Sequence, residues 1–184
     1  MTEIKNYNFS ESELVHIVVD TANGQYLWCL FANNLKKVSA HNPLQTYFDI
    51  DQDEVLVRGF ISGSYIYLAV NDASLIGKRY SLSNPVSTST DFSLPAGITE
   101  APIDVVASGS DLFFLIPGIA SGENAKIVKM STAGVYDQTI DLATVANAVS
   151  FTYDGTDLWV ITNETPAEYI RVYFDGIWKY TVNS

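Results

Sequence analysis

Four glycines set the frame of this 184-residue chain. Gly24, Gly63, Gly109 and Gly155 each open a segment of the form Gly-x-[Tyr/Asp]-[Leu/Ile]-aromatic. The segments are Gly24-Gln-Tyr-Leu-Trp28, Gly63-Ser-Tyr-Ile-Tyr67, Gly109-Ser-Asp-Leu-Phe113 and Gly155-Thr-Asp-Leu-Trp159. The glycines stand 39, 46 and 46 residues apart. A single match would be weak. Four in register at near-even steps mean that one supersecondary unit is repeated.

The agreement continues on both sides of each glycine. A short apolar or β-branched run precedes it, as in His16-Ile-Val-Val19 and Ile103-Asp-Val-Val106. The run after the aromatic stays apolar, as in Cys29-Leu-Phe31 and Phe114-Leu-Ile116. A third run carries a basic residue in each unit: Lys37, Arg79, Lys129 and Arg171. A fourth reads apolar-polar-apolar, as in Phe48-Asp-Ile50 and Phe92-Ser-Leu94. Val, Ile, Tyr, Phe and Thr fill the runs, and Gly, Asn, Asp and Ser separate them, which is the pattern of short strands and tight hairpins. No segment reads as a convincing helix.

Four strands in 40–50 residues resemble a β-propeller blade, and the Gly-x-x-[Leu/Ile]-aromatic segment resembles the blade signature of many propeller families. The resemblance covers the chain from about residue 12. The Trp-Asp, double-Gly kelch and Asp-box patterns are absent, so it identifies the superfamily alone. It implies an all-β fold, a small β-propeller of four four-stranded blades at about 12–52, 53–101, 102–148 and 149–184. Residues 1–11 form an N-terminal arm. Within it Asn6-Tyr-Asn-Phe9 resembles a surplus outer strand, free to cover an edge of the ring or to pair with a neighbouring subunit. Four blades are few. Either one chain closes a four-bladed ring, or the chain is half of a larger ring formed by association.

Strand alternation sends Leu27, Ile66, Leu112 and Leu158 to one side of the second strands and Trp28, Tyr67, Phe113 and Trp159 to the other. Both sides of a blade are covered by neighbours, so both sets can be apolar. Truncating Trp159 to Ala is expected to cost about 3–5 kcal/mol.

Composition narrows the function. The chain is 47% hydrophobic and only 17% charged, which excludes a disordered polyelectrolyte. Its net charge of −11 argues against a nucleic-acid partner bound through phosphates. Its one cysteine, Cys29, permits neither an internal disulfide nor a thiolate metal cluster. No run is long and apolar enough to span a bilayer, and the N-terminus lacks the apolar core of a secretory signal. The expected location is therefore the cytoplasm or a virion.

Catalytic chemistry is hard to find. His16 reads as a satisfied imidazole in an apolar strand and His41 as a solvated turn residue. No Gly-x-Ser-x-Gly elbow occurs. Cys29 reads as a small buried hydrophobe. Asp49-Ile-Asp-Gln-Asp-Glu54 fails as a calcium loop at its sixth and twelfth positions and reads as an inter-blade connection. No catalytic residue, metal site or cofactor is expected. The basic residues of the third runs read as solubilising charges on outer strands, or else as a ring of cations for an acidic ligand. Counting five residues back from each glycine puts Val19, Arg58, Asp104 and Ser150 near the hub. Arg58 and Asp104 are placed to pair across blades or to line a channel. Tyr26, Tyr65, Tyr153 and Tyr169 lie near turns, where they offer faces to a glycan or cap blade edges. The expected function is a non-enzymatic structural or docking module with protein partners or copies of itself, as in a virion head or tail accessory. The alternative is a carbohydrate-binding propeller.

Overall fold

A computed structural model describes residues 14–20, 25–41, 45–86, 89–118, 123–143, 145, 147–154, 156–163, 168–173 and 176–181, the last two segments by backbone alone. The arm at 1–11 and two of the four aligned glycines, Gly24 and Gly155, lie outside the described residues.

Among the described residues sixteen strands form four antiparallel four-stranded sheets, one per repeat. Blade 1 holds β1 (Leu14–Val19), β2 (Tyr26–Phe31), β3 (Asn34–Ser39) and β4 (Thr46–Asp51). Blade 2 holds β5 (Val55–Ser62), β6 (Tyr65–Asn71), β7 (Leu75–Ser81) and β8 (Ser89–Ser93). Blade 3 holds β9 (Asp104–Ser108), β10 (Asp111–Ile116), β11 (Lys126–Ser131) and β12 (Tyr136–Asp141). Blade 4 holds β13 (Ala148–Tyr153), β14 (Leu158–Thr162), β15 (Glu168–Tyr173) and β16 (Gly176–Thr181). Strands follow chain order within every sheet, so each blade is a plain meander. No helix occurs among the described residues.

The aligned glycines that are described do the same work. Gly63 and Gly109 stand first in two-residue hairpins, at φ of 57° and 59°. A side chain is strained in that left-handed region, which is why the template begins with glycine.

The blades pack through their flat sides. The aromatic of one blade meets the leucine-type residue of the next. Trp28 packs with Ile66, Tyr67 with Leu112, and Phe113 with Leu158, in three separate apolar clusters. Each blade therefore has an aromatic face turned forward along the chain and a leucine face turned back. The middle interface is close at Gly77. A β-carbon on Gly77 would lie 2.5 Å from the Leu68 carbonyl and 2.6 Å from the Phe114 ring, so only glycine lets blade 3 come this close.

Inner strands neighbour one another in the order β1, β5, β9, β13. Among the described residues no comparable packing joins β13 or β14 back to β1. Among the described residues the leucine face of blade 1 and the aromatic face of blade 4 are thus the first and last faces of the row of blades. Ile17 and Val19 lie on the first, beside Cys29 and Leu27, and are exposed. Ile161 lies on the last and is exposed, as is Val149 at the β13 bulge. Cys29, Phe31 and Val38, also on the blade 1 end, are buried.

Candidate functional site

Four residues converge where the inner strands meet. His16, Arg58, Asp104 and Ser150 oppose Leu30, Ala69, Leu115 and Ile161, each two residues beyond the aromatic of its own template. In blades 1, 2 and 4 a β-bulge immediately precedes the residue, between Leu14 and His16, Leu56 and Arg58, and Ala148 and Ser150. A bulge locally re-aims the strand and often marks a functional rim. Three of the four residues are those reached by counting back from the glycines. The fourth is His16 and not Val19, because the β1–β2 connection is three residues longer than its counterparts. Val19 sits instead on the exposed end face.

The four residues stitch the blades together. The Gly59 amide of blade 2 donates to His16 Nδ1 of blade 1 at 3.2 Å. Arg58 Nε lies 3.8 Å from Asp104 Oδ1, joining blades 2 and 3. Asp104 Oδ2 accepts from Ser150 Oγ at 2.6 Å and from the Phe151 amide at 3.2 Å, joining blades 3 and 4. Asp104 Oδ1 also accepts from the Val105 amide at 2.9 Å. Asp104 is buried, and these partners replace the water it loses. Arg58 is half-exposed. Burial, and then the neighbouring Arg58 cation, hold His16 below the ordinary histidine range against a smaller opposing pull from Asp104. With Nδ1 accepting, the neutral ring carries its proton on Nε2.

A second set of polar residues lies further out, between the blades. Lys37, Arg79 and Lys129 oppose Trp28, Tyr67 and Phe113 across the second and third strands. Lys37 Nζ donates to the Leu82 carbonyl of blade 2 at 3.1 Å, and Arg79 Nη1 to the Thr132 carbonyl of blade 3 at 2.5 Å. The two acceptors are equivalent, because the Leu82 and Thr132 amides bond the Ser64 and Ser110 carbonyls of matching hairpins. Lys37 and Arg79 are therefore inter-blade struts, neither edge-blocking charges nor cations open to an acidic ligand. Lys129 pairs with Asp111 and Asp137 of its own blade.

The struts also explain the template's third position. Lys37 lies over the Tyr26 ring at 4.4 Å and Arg79 over the Tyr65 ring at 4.4 Å. In blade 3 the position is Asp111, which pairs with Lys129 at 3.3 Å. Tyr26, Tyr65 and Asp111 share that position because each holds a cation in place, the tyrosines by ring face and the aspartate by charge. Tyr26 also packs edge-on against Tyr47, so it is fixed rather than freely presented. Tyr153 packs against the blade 3–blade 4 cluster. The side chain of Tyr169 lies outside the described residues.

The remaining candidates are placed as follows. Burial pushes the Cys29 thiol up to about 11, so it sits inert in the sheet. The Asp49–Glu54 stretch joins blades 1 and 2. Its Asp49 and Asp51 accept from the Asn34 amide, and Glu54 meets Lys78 of blade 2 at 2.6 Å. A polar cleft of about 410 Å³ opens beside Phe31, Asn34, Lys36, Asp49 and Asp51. Among the described residues no helix is long and apolar enough to cross a membrane.

No protein-family model and no curated protein matches the chain. Solved structures do. A catalytically inactive virginiamycin B lyase from Staphylococcus aureus, crystallised with quinupristin, matches at a TM-score of 0.70 and 13% identity over 99% of this chain and 60% of the other. A protein of unknown function from Bacteroides caccae matches at 0.69 and 10% identity over 95% and 63%. The computationally designed Ika4 protein matches at 0.61 and 10% identity over 100% and 99%. The fold is that of a β-propeller. The chain spans about three-fifths of the two natural proteins and nearly the full length of the designed one. At such identities the likeness carries architecture and not activity.

Proposed function

We propose that this propeller is a non-enzymatic docking module of a larger assembly, with its two end faces as the working surfaces. One observation carries the reading. The positions held by Val105 and Phe151 at two internal interfaces, and by Leu30, Ala69 and Leu115 at all three, are buried, whereas their counterparts at the ends, Ile17 on blade 1 and Ile161 on blade 4, are exposed. Exposed apolar faces of this kind mark places where a protein meets another. The hub supports the reading from the other side. Asp104 already accepts three hydrogen bonds and lies beside Arg58, so it is engaged in joining blades.

Hydrogen–deuterium exchange tests the reading. The chain held in its native complex is compared with the same chain alone at nanomolar concentration. Slower exchange in β1 and β13–β14 within the complex is the expected result. Protection confined to other strands would contradict docking through the ends.

A further inference from the structure

The internal interfaces say what kind of surface each end is built to meet. At all three, an aromatic face receives a leucine face. The ends are one of each. Blade 1 exposes Ile17 and Val19 at the inner edge of a leucine face whose Cys29, Phe31 and Val38 are buried, and blade 4 carries half-buried Trp159 and exposed Ile161 on an aromatic face. Among the described residues no packing comparable to the three internal interfaces joins these two faces. Backbone register adds a second sign. Arg171 opposes Trp159 as Lys37 opposes Trp28 and Arg79 opposes Tyr67. In blades 1 and 2 that position supplies the strut to the next blade, while Lys129 of blade 3 pairs with Asp111 and Asp137 of its own blade. On blade 1 the position equivalent to the strut acceptors is Ala40, whose amide bonds the Gln25 carbonyl as Leu82 bonds Ser64 and Thr132 bonds Ser110.

We propose that the occupant of both ends is a second copy of this chain, and that two arcs close head-to-tail into one eight-bladed ring. The proposal rests on the docking reading and names its partner. The contact is heterologous, with the blade 4 end of each copy on the blade 1 end of the other, and two copies close it twice about a two-fold axis. Blade 1 of the partner then follows blade 4 as blade 2 follows blade 1. The hub residues of each arc become one half of a continuous central lining.

Native mass spectrometry of the full chain at micromolar concentration tests this, together with two variants at exposed positions, Ile17→Asp and Ile161→Asp. Circular dichroism verifies that both variants keep the β-sheet signal. The wild type is expected to be a dimer. Each variant alone should lose dimer by at least about tenfold, because about 1.4 kcal/mol per contact suffices for that and a buried unpaired carboxylate costs more. An equimolar mixture of the two variants should recover dimer. In the mixed pair both substitutions fall in one interface, and the other interface is wild-type.

A monomeric wild type overturns the proposal, as does a trimer or an open-ended series. A dimer that neither substitution weakens overturns it too, and so does a mixture that recovers nothing. A monomer whose β1 and β13–β14 are nevertheless protected in the native complex overturns the second copy while leaving the docking reading in place. A monomer without that protection overturns both.

Discussion

Trp28 and Trp159 hold the same place in the repeat and live in different surroundings. Trp28 lies wholly buried, stacked with Phe48 at 6.5 Å and closed over by Ile66 and Leu68 of the next blade. Trp159 is half-buried on the end of the arc, with its Nε1 donating to Asp154 Oδ2 at 2.6 Å. The template asks for an aromatic in both copies, but only the neighbouring blade turns that aromatic into core. The difference between the middle of the arc and its ends is therefore one of covering and not of local sequence.

The sharpest way to break this comparison is to truncate both indoles in the dilute, monomeric chain. Trp28→Ala should cost about 3–5 kcal/mol in denaturant unfolding, as a fully buried aromatic does. Trp159→Ala should cost clearly less, below the value that its place in the repeat alone suggests. Equal losses would mean that the ends are as closed as the middle. Gly77→Ala probes a close approach between blades 2 and 3. It should destabilise by about 1–3 kcal/mol or more, since the backbone carbonyl of Leu68 cannot yield as a side chain can. The same substitution at Gly63 meets open space, and only the positive φ opposes it.

Asp104 sharpens the comparison at the hub. Asp104→Ala strands the Ser150 hydroxyl and the Phe151 amide and should cost about 1–3 kcal/mol. Thermal unfolding of Ser150→Ala, which leaves the Phe151 bond in place, should show a smaller loss. His16 gives the smallest effect and a distinct signature. Its native pKa lies below the unfolded value of about 6.5, so the unfolded chain takes up more protons as the pH falls. Stability is then full above about pH 6.5 and declines as the pH falls from there toward the native pKa. A melting temperature that drops between pH 7 and pH 5.5 in the wild type, and drops less in His16→Gln, is the expected pattern. Parallel curves would remove His16 from the seam.

Much of this was legible in the residues. The glycine template, the four-strand units and the alternation of leucine-type and aromatic residues all follow from spacing and periodicity, and the sheets reproduce them. Arg58, Asp104 and Ser150 were reached at the hub by counting. His16 was not, because a longer β1–β2 connection shifts the first copy by three residues, and insertions in loops leave no mark on strand periodicity. The struts escaped for another reason. Lys37 and Arg79 bond backbone carbonyls of the next blade, and a carbonyl acceptor has no signature in side-chain identity. A signal was nevertheless present in the template's third position, where Tyr26, Tyr65 and Asp111 share only the capacity to hold a cation. The openness of the ends was beyond reach, since a repeat pattern reads alike whether or not a neighbour covers its last copy.

The most direct test of the open arc is small-angle X-ray scattering on the Ile161→Asp chain, with its mass fixed at one copy by light scattering. The account predicts a crescent, with the longest intramolecular distances running between blades 1 and 4. A compact four-bladed disc, with blade 4 seated on blade 1 of the same molecule, would contradict it.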